Sequence, residues 1–147
     1  MRSALVAIVV LFSPLVYAKD LYMVRSALSF PEAMSVLQET IVQHGYQVSR
    51  VQRVDIGLTT FGYQTDKYRV VFFGRLGELR ELSARHTSLV PYIPLKIAIF
   101  AEGTETILLA SSFEHLRSTY ADPELQRYFD RWEADVQTIL EYVRVAE

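Results

Sequence analysis

Residues 89–113, LVPYIPLKIAIFAEGTETILLASSF, constrain the fold more than any other stretch of this chain. Pro91 and Pro94 run directly into the apolar segment Leu95–Ala101. A proline offers no amide to a ladder and pushes the residue before it toward extended backbone. The pair therefore halts helix and pairing ahead of a strand, and would be out of place inside one. Glu102-Gly103-Thr104-Glu105 then turns the chain into a second apolar strand, Thr106–Ser111. Two short apolar runs around a glycine-containing turn predict a hairpin. What such a hairpin leaves open is whether both of its faces are core.

The flanking sequence supplies the rest of a sheet and its cover. Leu21–Ser26 and Tyr68–Gly74 read as strands. Tyr46–Asp55 reads as a third, whose alternation slips near Arg50 as a bulge would cause. Ser29 followed by Pro31 and Glu32 is a capping box with proline in the first turn. It opens a helix with Phe30, Met34, Leu37 and Ile41 on one stripe. Gly45 ends it as a left-handed cap. Ile56–Asp66 reads as a loop or short turn. Arg75–Ser88 holds a short helix with Leu76, Leu79 and Leu82 inward. Ser111-Ser112-Phe113-Glu114 and Asp122-Pro123 open two more helices. The last carries Leu125, Phe129, Trp132, Val136, Leu140 and Val143 at helical spacing, a core stripe. The expected order is strand, helix, strand, strand, helix, strand, strand, helix, helix. That order predicts an α+β fold, a mostly antiparallel five-stranded sheet with helices packed on one face.

The N-terminal stretch 1–18, MRSALVAIVVLFSPLVYA, has the form of a secretory signal. Arg2 is followed by an apolar core from Ala4 to Phe12, then Pro14 and the small-residue step Val16-Tyr17-Ala18. Ala4–Val16 is too short to span a bilayer, which takes about 20 apolar residues. Cleavage after Ala18 would release 19–147 as a single domain in the periplasm or outside the cell, with no membrane span. Losing Arg2 would leave 14 of the 15 basic residues against all 17 acidic ones, a net −3. That balance argues against nucleic acid as a partner. The chain has no cysteine, so neither disulfides nor lipoprotein attachment apply. Half of its 147 residues are hydrophobic and 22% are charged. This is a globular composition for one domain.

A series of short segments then resembles the domain of unknown function 302 family over about Leu21–Leu140. The segments are Ser29-Phe30-Pro31-Glu32-Ala33, His44-Gly45-Tyr46, Val54-Asp55, Phe72-Phe73-Gly74 and Val90-Pro91-Tyr92-Ile93-Pro94-Leu95-Lys96. The resemblance implies a small α+β fold with a curved sheet, similar to the TATA-box-protein-like arrangement, and it implies no established activity. Ile56 stands where relatives often have histidine, and Gly74-Arg75-Leu76 where they often have Gly-Asn-Pro. The resemblance therefore implies no role for those positions in this chain.

The chain lacks a cysteine nucleophile, a Gly-x-Ser-x-Gly elbow, a His-Glu-x-x-His pair and a phosphate-binding glycine loop. His44, His86 and His115 read as helix-end or surface residues, so neither metal nor cofactor is expected. Asp55, at the end of the second strand, is the polar site candidate, as a turn cap or as an acid–base group working with a histidine. Sorting the strands by parity, with the register assumed, gives one wholly apolar face: Tyr22, Val24, Tyr68, Val70, Phe72, Leu95, Ile97, Ile99, Ile107 and Leu109. The second face then holds Met23, Arg25, Arg69, Val71, Phe73, Lys96, Ala98, Phe100, Leu108 and Ala110, half apolar with three cations. Three covers suit such a face: the last helix pair, a second copy of the chain as homodimer, or a small anionic, partly apolar ligand. Arg25, Arg69, Phe73, Lys96 and Phe100 are the residues expected to hold that ligand. A binding protein, for a small ligand or a protein partner, is the favoured reading. An enzyme using Asp55 with a histidine and a dimeric accessory protein of an envelope complex are the alternatives.

Overall fold

In a computed structural model, residues 20–147 are described. The signal sequence expected at 1–18 and its cleavage point lie outside them. The elements are β1 (Leu21–Ser26), α1 (Phe30–Gln43), β2 (Gln47–Arg53), α2 (Val54–Thr60), β3 (Tyr68–Gly74), α3 (Leu76–Arg85), a 3-10 helix (Thr87–Tyr92), β4 (Leu95–Glu102), β5 (Glu105–Ser111), α4 (Glu114–Thr119) and α5 (Pro123–Val145). The strands form one antiparallel sheet in the order β1-β5-β4-β3-β2. The expected α+β fold and five strands are present.

Local signals set most of the boundaries. The Ser29 amide donates to Glu32 Oε2 at 3.0 Å, which opens α1 as the capping box predicts. Gly45 follows it at φ +79°. That left-handed position costs glycine little. Asp122 Oδ1 accepts from the Glu124 amide at 2.8 Å and starts α5. The bulge expected near Arg50 falls between Val48 and Arg50. Other expectations need correction. Ile56–Asp66 is not all loop, since α2 runs to Thr60. Asp55 therefore sits in a helix's first turn rather than at a strand end. Pro91 lies inside the 3-10 helix rather than merely ahead of the strand. Leu76 is exposed while Leu82 is fully buried, because residues six apart on a helix point about 120° away from each other. The serines before α4 make no side-chain cap; Phe113 holds that position.

The core forms where α1 and α5 lie against one face of the sheet. Leu37 and Ile41 from α1 meet Phe129, Trp132, Val136, Ile139, Leu140 and Val143 from α5, all 2% exposed or less. Phe113, Tyr128 and Phe129 surround Trp132 with ring centroids 5.7–5.9 Å away. The buried Ser26 and Thr106 hydroxyls are paired, as polar groups away from water usually are. Ser26 Oγ donates to the Val143 carbonyl at 3.0 Å, and Thr106 Oγ1 to that of Leu28 at 2.9 Å. Arg117 binds α4 to α5 through Asp130, at 3.0 Å, and Glu133. Glu133 also accepts from Tyr22, which ties β1 into the same joint.

Candidate functional site

Directly opposed residues of paired strands share a face, so the register decides which side chains can act together. Val24 faces Leu108, Leu108 faces Ile99, and Ile99 faces Arg69. This row and its neighbours, with Ile97, Val71, Leu95 and Phe73, are covered by the helices. The opposite face carries Met23, Arg25, Ile107, Leu109, Lys96, Ala98, Phe100, Tyr68, Val70 and Phe72. The assumed register is therefore wrong by one residue for β3 and β5. Tyr68, Val70, Phe72, Ile107 and Leu109 leave the helix side; Arg69, Val71, Phe73, Leu108 and Ala110 join it.

The predicted ligand residues separate accordingly. Phe73 is fully buried and meets Tyr46 edge to face, centroids 5.4 Å apart. Arg69 pairs with Asp55 and lies 5.7 Å from the Phe30 ring centroid. The hydrogen bond from Arg69 holds the Asp55 carboxyl below its ordinary range. Arg25, Lys96 and Phe100 do share the open face. Glu102 and Glu105 oppose each other at the end of the β4–β5 hairpin, a repulsive cross-strand pair. Arg25 reaches both, Glu105 at 2.9 Å, and so neutralises its own hairpin. Phe100 packs edge to face on Tyr68 with centroids 6.2 Å apart. Lys96 has no carboxylate partner among the described residues.

Lys96 stands at the rim of a cleft of about 520 Å³ where β4 begins and β5 ends. Its apolar lining is Pro91, Leu95, Ala110, Phe113, Leu116 and Val136. Its polar groups are Lys96, Tyr92, His115, Ser111, Ser112 and Asp20. The 3-10 helix delivers Tyr92 from one side and α4 delivers His115 from the other, with ring centroids 6.2 Å apart. Arg117, anchored on α5, fixes α4 and with it His115. Ser112 donates its amide to the Asp20 carbonyl at 2.8 Å and closes the end of the sheet. An ammonium, an imidazole and three hydroxyls beside an apolar lining suit an anion with an apolar body, while the Asp20 carboxylate on the same lining opposes one.

Tyr92, Ser112 and Asp20 were not foreseen as site residues. Tyr92 lies between Pro91 and Pro94, but nothing in that spacing says where its ring points. Asp55 is placed away from this chemistry. It neighbours Arg69, which lies across from Ile99 near the hairpin end of β4, whereas the cleft gathers at Leu95 and Lys96. The structure therefore gives Asp55 an arginine partner and puts His115 at the other end of the sheet.

The fold has a solved counterpart. The crystal structure of an uncharacterized conserved DUF302 protein from Bacillus stearothermophilus superposes with a TM-score of 0.74 at 18% identity, over 84% of this chain and 98% of that one. No curated protein matches the chain. The family profile described as domain of unknown function DUF302 matches residues 22–143, nearly the whole described structure. The chain thus belongs to the DUF302 family.

Proposed function

We propose that this protein binds a small anionic, partly apolar molecule in the cleft between the 3-10 helix, α4 and the β4–β5 end of the sheet. The observation that carries this reading is Lys96, a cation without a carboxylate partner among the described residues, on the lining of a cleft that also gathers six apolar residues. The ammonium and the Tyr92 and Ser112 hydroxyls hold the charged head; Phe113, Leu116 and Val136 desolvate the body. The signal-like stretch 1–18 supports action in the periplasm or outside the cell. No helix among the described residues is long and apolar enough to cross a membrane.

The test is native mass spectrometry of protein recovered from a secreting host, followed by calorimetric titration with decanoate and, as the uncharged control, decanol. Retained mass released on denaturation, and decanoate binding that Lys96→Ala weakens, support the reading. Bare protein with no decanoate binding, or equal affinity for decanol, overturns it.

A second reading rests on Met23 and Leu21, 66% and 52% exposed at the edge of the open sheet face. They continue an apolar band through Leu109, Ala98 and Phe100 that a second copy of the chain would cover. Sedimentation of wild type and Met23→Lys over a range of concentrations checks it; a monomer throughout rejects it.

A further inference from the structure

Outside the cleft lining, His86, Asp122 and Glu124 converge from two separate parts of the chain. His86 caps the end of α3, its amide donating to the Leu82 carbonyl at 2.8 Å. Asp122 and Glu124 stand at the start of α5. One ring nitrogen of His86 and one oxygen from each carboxylate lie within 4.8 Å of one another. His86 Nε2 is also a buried nitrogen without a hydrogen-bond partner. Buried polar atoms are nearly always paired with protein, water or an ion, so this nitrogen wants an explanation that the protein's own groups do not supply.

We infer that His86, Asp122 and Glu124 form a site for one divalent transition-metal ion, a function independent of the cleft. A neutral imidazole and two carboxylates present a charge of −2 to a dication, and the N/O donor set suits zinc-like ions. Three protein ligands leave a fourth position to water. Asp122 uses Oδ1 for the Glu124 amide, which leaves Oδ2 for the ion. Arg85 competes for the same site. Its guanidinium grips both Glu124 oxygens, at 2.9 and 2.8 Å, and also holds Glu81 at 2.9 Å. Metal binding exchanges the Glu124 contacts, and Glu81 still retains Arg85.

The experiment is calorimetric titration of the untagged full chain with Zn²⁺, repeated with Co²⁺ to read its visible absorption bands. Wild type should take one equivalent, with a low-coordinate Co²⁺ spectrum. His86→Gln keeps the charge unaltered and should weaken binding at least tenfold. Asp122→Asn keeps a helix-capping side chain and should do the same. Arg85→Gln should tighten binding, and His44→Gln should leave it as it was. Absence of Zn²⁺ binding, or equal binding by wild type, His86→Gln and Asp122→Asn, overturns the site.

Discussion

Arg69 donates its guanidinium to the carboxylate of Asp55, joining β3 to the first turn of α2. Both side chains are mostly buried, 14% and 16% exposed. The pair joins Arg69, a candidate ligand residue, to Asp55, the polar site candidate. Asp55→Asn should lower stability by about 1 kcal/mol at neutral pH, the upper range for an ion pair near the surface. The Asp55 carboxyl is held below its ordinary pKa, which is about 3.9 for an aspartate in water. Its contribution is therefore complete above that value and disappears as pH falls through the folded-state pKa. Urea unfolding of both proteins across the acid range checks this. A gap that persists unchanged at the acid end would refute the assignment.

Phe73 and Phe100, expected on one face, lie on opposite ones. Phe73 is fully buried against Tyr46, and Phe100 is only partly covered. Phe73→Ala should cost about 3–5 kcal/mol, as for a large core aromatic. Phe100→Ala should cost about 1–2 kcal/mol, in proportion to the smaller area it hides. Equal losses in chemical denaturation would contradict the register.

Those two residues also mark where sequence stops being readable. β1 and β4 each place a charged side chain among apolar ones, Arg25 and Lys96, and that single charge fixes which parity faces solvent. Both are placed as expected. YRVVFFG and ETILLAS have apolar doublets at their centres, so both parities look like core and alternation has no sign. Arg69 misleads further, because its charge is met by Asp55 on the helix side rather than by water. Helix starts were legible through Ser29, Glu32 and Asp122, since capping chemistry is local. The cleft was not, since Lys96, Tyr92 and His115 come from three elements that only tertiary packing assembles.

Gly45 turns the chain from α1 into β2 at φ +79°. A side chain there is strained by roughly 1–2 kcal/mol whatever space surrounds it. Space is not the obstacle, since an added Cβ would meet only the Arg75 guanidinium at 3.7 Å. Gly45→Ala should therefore lower the unfolding free energy by about that amount without disturbing ligand or metal binding. A neutral effect in thermal and urea unfolding would mean the turn relaxes.

Arg25 and Lys96 share the open face and carry the same charge, yet they should behave differently toward an anion. Arg25 is committed to Glu102 and Glu105, whose mutual repulsion at the hairpin end it relieves. Removing it frees two carboxylates and should cost hairpin stability rather than affinity. Lys96 has no such duty and sits at the rim of the cleft. A hydrogen bond to a charged group contributes about 1.5–3 kcal/mol, so Lys96→Ala should weaken decanoate binding roughly ten- to hundredfold. Arg25→Ala should stay within about twofold, since an exposed charge beyond a Debye length of about 8 Å is largely screened at physiological salt. Titrating both variants at two salt concentrations separates the cases. Equal losses that fade together in salt would reduce the cleft's specificity to the general charge of the face, and Lys96 would lose its assigned role.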